Sequence, residues 1–155
     1  MGDLTAEKIA IIQSDWAAVR QNVKQNGVDF FIFFFKSNPG YQNMFKTMRG
    51  LSDVELNKSA ALRSHALRVM YAISSLVDNL SDDLDAVVEI LKKMTDDHYP
   101  RGIKLSHFQN LFNNLVEFLG NKLGSGFGAK NKAAWGTLAG VMLGVIDVEL
   151  KGLMG

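Results

Sequence analysis

Imidazole both coordinates metals and exchanges protons near neutral pH. The sequence has three, His65, His98 and His107. Two of them stand in line with apolar residues. Leu62, His65, Val69, Ile73 and Leu76 recur three or four residues apart, and so do Leu84, Val88, Leu91, Met94 and His98. On a helix each set forms one stripe, so each imidazole shares a face with core candidates. A single histidine of this kind is ordinarily a buried ring hydrogen-bonded to a carbonyl. Two on neighbouring helices, beside a phenylalanine-rich segment that can serve as a wall, suit another chemistry. A flat apolar macrocycle around a metal wants one imidazole on the metal, a second polar group opposite, and apolar walls elsewhere.

Other site chemistries fit less well. Zinc takes three or four ligands, and neither histidine has a His or Cys partner at helical spacing. Asp96 and Asp97 adjoin His98, but positions one and two residues away do not share its face. No serine elbow accompanies a His and an Asp. The stretch Gly124 to Gly128 lacks the Gly-Lys-Ser/Thr ending of a phosphate loop and follows no strand pattern. His107 lies in a polar first turn and reads as a solvated surface residue.

The elements that must position these side chains are helical, since apolar residues recur at helical spacing and strict alternation is rare. The pattern predicts a first helix from Ala6 to Asn22, capped by Thr5, with Ile11, Ile12, Trp16 and Val19 on one face. A second contains Gly27 and runs through Ser37. Asn38-Pro39 ends it and starts a short turn reaching Phe45, and Lys46 to Leu51 forms a loop. Ser52 and Glu55 make a capping box, with Leu51 and Leu56 as its staple, before a long helix to Asn79. Ser81, backed by Asp82, Asp83 and Asp85, opens the next helix, which stops at Tyr99-Pro100. Ser106 with Gln109 reads as a second capping box, starting a helix to Lys122. After the glycine-rich break a last helix spans Asn131 to Leu150.

Bulk properties bound the function. A chain of 155 residues suits one domain, 1–155, with a real core. The net charge of +1 removes any bulk electrostatic case for nucleic acid or an anionic membrane. With no cysteine there are no disulfides, thiolate metal sites or covalently attached c-type haem. The N-terminus is short of basic charge, unlike a secretory signal. Gly2 would suit myristoylation, but Ala6 stands where Ser or Thr is wanted. The dense apolar run Phe30 to Phe35 is too short to span a bilayer. A soluble cytoplasmic protein is expected.

With these residues in view, the chain resembles a globin over essentially its whole length. Trp16, Gly27 and Lys36-Ser37-Asn38-Pro39 fit the family pattern, and Phe45 follows Pro39 by six residues. Leu62 to Val69 and His98-Tyr99-Pro100-Arg101-Gly102-Ile103 are similar to the two histidine segments of invertebrate globins. The specificity lies in their order and spacing. Leu67 to Leu80 is closest in character to the intracellular haemoglobins of bivalve molluscs.

The resemblance implies an all-α globin fold of seven to eight helices around non-covalently bound haem b. It makes His98 the proximal iron ligand, its other ring nitrogen donating to a nearby carbonyl or Ser/Thr oxygen. His65 becomes the distal residue, donating to oxygen or itself bonding the iron. Phe45 would lie flat on the porphyrin, Val69 would sit above the iron, and Phe31 would close the distal pocket where many globins have leucine. Ile73, Met94, Ile103, Phe108 and Met142 would complete the walls, and Arg68, Arg101 and Lys93 are candidates for the haem propionates. The implied function is reversible oxygen storage or transport, with other diatomic gases as further ligands. The alternative is a six-coordinate, bis-histidyl globin with a sensing, nitric-oxide or redox role. An enzyme is not expected beyond weak peroxidase or nitric-oxide dioxygenase side activity. A homodimer through the helices carrying His65 and His98 is implied. Its usual phenylalanine switch four residues before the proximal histidine is here Met94, a flexible side chain, which argues against cooperativity by that route.

Overall fold

Side chains that read as caps in the sequence open two of the helices, those that follow Thr5 and Ser52. In the computed structural model, which describes residues 3–155, Thr5 accepts the Lys8 N–H and opens α1 (Ala6–Arg20). α2 spans Val23–Ser37, and a single 3-10 turn, Tyr41–Met44, follows Pro39. Ser52 and Glu55 form their reciprocal capping box at the start of α3 (Asp53–Asn57). The remaining helices are α4 (Ala60–Asp78), α5 (Leu84–His98), α6 (Leu105–Leu123) and α7 (Ala129–Met154). The described residues contain seven α-helices and no strand, as the helical spacing predicts.

Four local expectations are corrected. The long helix after Ser52 is two helices. Ser59 is itself a cap, accepting the Leu62 N–H at 3.2 Å, so the chain stops and restarts between Asn57 and Ala60. α5 is capped by Asp83 rather than Ser81: its carboxylate accepts the Ala86 N–H at 3.0 Å, and a carboxylate suits the positive helix end. Starting there leaves Leu84 in the first turn, 55% exposed, while Val87, Leu91 and Thr95 face the core. Ser106 and Gln109 form no capping box, because α6 begins at Leu105 and its N-cap is Lys104, two residues before Ser106. The Lys104 N–H instead donates to His107 Nδ1 at 2.9 Å. His107 is therefore half-buried at a helix start, its ring 5.2 Å from that of Tyr41.

Packing places α2 across α4 at close range. An ideal Cβ on Gly27 would lie 2.9 Å from Met70 Cγ and 3.1 Å from Ala66 Cβ. Only glycine lets the two backbones approach this closely, and Phe31, one turn further on, is thereby brought over His65. On the other side of the core, Trp16 donates to Ser74 Oγ at 2.8 Å, tying α1 to α4. The buried carboxylate of Asp15 accepts from Trp135 Nε1 and Asn131 Nδ2, each at 3.0 Å, tying α1 to α7. By length and composition α7 could cross a membrane. Its buried residues Trp135, Leu138, Met142, Ile146 and Leu150 recur at helical spacing and form one wall of the core.

Candidate functional site

The site is built from α4 and α5, roofed by α2 and floored by the start of α6. α4 presents His65, half-buried, between two phenylalanines. Its ring centroid is 4.8 Å from that of Phe31 and 4.9 Å from that of Phe45, edge to face in both cases. Phe35 supports both phenylalanines, at 5.9 Å from Phe31 and 5.5 Å from Phe45. The run Phe30 to Phe35 marks this wall, but its spacing alone does not say that Phe35 backs Phe45 across the 3-10 turn.

His98 ends α5. Its Nδ1 donates to the Met94 carbonyl oxygen one turn back, at 2.6 Å. This is a strong, short bond. With the proton on Nδ1, the lone pair of Nε2 is left free and the ring orientation is fixed. Phe108 packs edge-on against the ring at 5.8 Å. Thr95, also on α5, is fully buried and donates its hydroxyl to the Leu91 carbonyl, while the His98 Nδ1–H goes to Met94 rather than to this hydroxyl.

Burial is the main cause of an electrostatic bias at His65. It disfavours the imidazolium, and the guanidinium charges of Arg68 and Arg101, with the His98 ring, act in the same direction. Together they lower the pKa from 6.5 to about 4. His65 is neutral at physiological pH, with one ring N–H and one lone pair. Neither ring nitrogen has a hydrogen-bond partner among the described residues. A neutral imidazole with both nitrogens uncommitted can donate to a polar ligand or coordinate a metal.

The remaining candidates divide by exposure. Ile73, Phe108 and Met142 are buried, and Val69, Met94 and Ile103 are half-buried against the same core. Arg68, Arg101 and Lys93 are exposed. Arg68 donates to Ser64 Oγ at 3.0 Å and, like Arg101, has no carboxylate partner among the described residues. Lys93 already pairs with Asp97 at 2.9 Å, one turn along the same helix. Arg68 and Arg101 are thus the cations free to meet an anionic group at this site. No cluster of three or more His, Cys, Asp or Glu side chains among the described residues could hold a bare metal ion. Two separated imidazoles suit a metal that brings its equatorial ligands with it.

Comparison with known proteins gives a coherent result. The globin family model matches residues 28–146. A globin from Nerita albicilla is 35% identical over 150 residues, covering 97% of this chain and 95% of the relative. Hemoglobin-3 of Phacoides pectinatus is 31% identical over 119 residues, covering 75% of this chain and 76% of the relative. A protein named anaerobic nitrite reductase HBII from Casuarina glauca is 26% identical over 149 residues, covering 95% of this chain and 92% of the relative.

Proposed function

The chain belongs to the globin family, and we propose that it binds oxygen reversibly on non-covalently held haem b, as a soluble cytoplasmic store or carrier. One observation carries the reading. His98 is locked by the Met94 carbonyl with its Nε2 free, and on the facing helix stands a neutral, uncommitted His65. The absence of cysteine excludes the thioether attachment of a c-type haem.

When bound, the group would supply ferrous iron able to take a diatomic gas. His98 would hold it through Nε2, and the Nδ1–H bond to Met94 would make that nitrogen a better donor. His65 would offer an N–H to a gas molecule that gains negative charge in the pocket. Such a bond contributes roughly 1–2 kcal/mol and selects oxygen over the less polar carbon monoxide. Phe31 and Phe45 pack edge-on against the imidazole and would hold it in place and limit water around it. Val69, Ile73, Met94, Ile103, Phe108 and Met142 would supply apolar wall, and Arg68 and Arg101 the counter-charges for the propionates. Lys93 is the weakest counter-charge candidate, because it is already paired. Among the described residues the charged or titratable groups acting on His65 are Arg68, His98 and Arg101, with no carboxylate to serve as a second acid or base, which favours a carrier over an enzyme.

Haem titration followed by an oxygen equilibrium curve tests this. The account predicts one haem per chain, full reversibility on evacuation, and loss of most haem in His98→Ala. Normal haem retention and spectra in His98→Ala would refute the assignment of His98.

A second reading has support from the same imidazole. Neutral His65 has a lone pair free to bond iron itself, which would make a bis-histidyl globin with a sensing or redox role. Gas binding would then require His65 to leave first, so the observed binding rate would level off with rising carbon monoxide. A rate that climbs linearly excludes it.

A further inference from the structure

Residues 45–51, between the 3-10 turn and α3, bring Phe45 to His65 without a helix to hold them. Their own backbone bonds are short-range. The Phe45 N–H donates to the Gln42 carbonyl at 3.1 Å, Met48 to Phe45 at 2.9 Å and Leu51 to Met48 at 3.3 Å. Bonds of this span shape successive turns but do not close the loop that the turns make up. Of its side chains only Met48 is buried. The closing contacts come from Gln42. Its Nε2 donates to the Met48 carbonyl at 2.7 Å and to the Leu51 carbonyl at 3.0 Å, six and nine residues further on. A primary amide has two hydrogens, and both are used. Gly50, at φ 74°, turns the chain between the two acceptors. Arg49 adds a shorter clip, donating Nε–H to the Asn43 carbonyl at 2.6 Å. Gln42 itself stands on fixed ground. The hydroxyl of its neighbour Tyr41 accepts from Asn110 Nδ2 of α6 at 2.7 Å, and the Tyr41 ring packs on Phe34 of α2 at 5.4 Å.

We propose that Gln42 is a positioning residue for the distal wall: its amide clasps residues 45–51 to the body of the fold and so keeps Phe45 against His65. The residue acts through Phe45. The consequence for haem, slow loss from the pocket, rests on the proposed haem site, whereas the clasp itself does not. Glutamate at position 42 separates the donors from the shape of the side chain. It is nearly isosteric with glutamine, but an ionised carboxylate has no hydrogen to donate and would face two carbonyl oxygens. Those oxygens disfavour the charged form, so the carboxyl should take up a proton above its ordinary value of about 4.3. Protonation restores one donor. The defect of Gln42→Glu should therefore shrink in mild acid, and that of Gln42→Met should not.

Amide hydrogen exchange of the full chain as purified, read by mass spectrometry over residues 45–51, tests the clasp at pH 8 and pH 5, each variant being expressed as a ratio to wild type. At pH 8 both Gln42→Met and Gln42→Glu should raise exchange in that segment about tenfold, with α1 and α7 unchanged. At pH 5 the Gln42→Glu ratio should fall to about threefold while the Gln42→Met ratio stays. Transfer of haem to an excess of a second apoglobin should quicken by similar factors, with the same pH pattern. Wild-type exchange over residues 45–51 in Gln42→Met overturns the proposal, and so does a Gln42→Glu ratio indifferent to pH. Faster exchange with unchanged haem transfer overturns it too, because Phe45 would then keep its place without the clasp. A chain that takes up no haem refutes the haem reading instead, and the exchange ratios still decide the clasp.

Discussion

At the scale of single residues, two imidazoles do different work because their hydrogen bonds differ. His98 has given one nitrogen to Met94 and keeps the other, whereas His65 has given neither. Replacing His65 by leucine should preserve haem binding while removing the N–H. The account predicts an oxygen dissociation rate higher by roughly 5- to 30-fold in stopped-flow displacement, corresponding to about 1–2 kcal/mol, with faster oxidation in air. An unchanged rate would mean that His65 does not reach the gas.

The same residue sets a pH dependence. Its folded pKa of about 4 lies below the 6.5 of the free side chain, so the unfolded chain binds the proton more readily. Stability is complete above about pH 6.5 and falls as the pH drops toward 4, where the unfolded form is protonated and the folded form is not. The loss attributable to His65 is at most about 3 kcal/mol. Denaturant melts of the haem-free protein between pH 7 and 4, compared with His65→Leu, isolate it. The variant should show a shallower fall across that interval, and parallel curves would contradict the stated cause.

At the scale of elements, the crossing of α2 over α4 decides whether Phe31 reaches His65. Gly27→Leu should push the helices apart and cost about 1–3 kcal/mol by overpacking, read as a lower denaturation midpoint. It should also raise the oxygen dissociation rate, because the phenylalanine moves with its helix. A stable variant with an unchanged rate would separate the crossing from the pocket. Much at this scale was legible in sequence. Thr5 and the Ser52–Glu55 box stand where their types and spacing placed them, since a cap is decided by three or four neighbouring residues. What was not legible depends on which of several equivalent caps wins. Ser59 had to be recognised as a second start, and Asp83 competed with Ser81 two residues away. His107 looked like surface because a histidine accepting a backbone N–H at a helix start has no signature in one sequence.

At the scale of the whole molecule, the helices are tied by a few long-range polar contacts buried among apolar ones. Asp15 joins α1 to α7 across 120 positions of sequence through Trp135, and no periodicity in either helix announces the pair. Asp15→Ala would leave the Trp135 and Asn131 donors without their carboxylate, and should cost about 3 kcal/mol with gas affinity unchanged, measured by paired denaturant and oxygen titrations. The stripes that placed His65 and His98 on core faces were visible, because helical period is a local property. Their facing one another was not, since it depends on how α4 and α5 pack through the rest of the fold. The order of motifs implies that juxtaposition by family likeness alone.

The most direct test of the central claim, a His98-held haem with a free face under His65, is the visible spectrum of the purified protein reduced without oxygen and then exposed to air. The account predicts a strong Soret band, a single broad visible band in the reduced protein, and a reversible change to a split pair with oxygen. A reduced protein that already shows a sharp split pair would place His65 on the iron, and the absence of a Soret band after haem addition would contradict the account altogether.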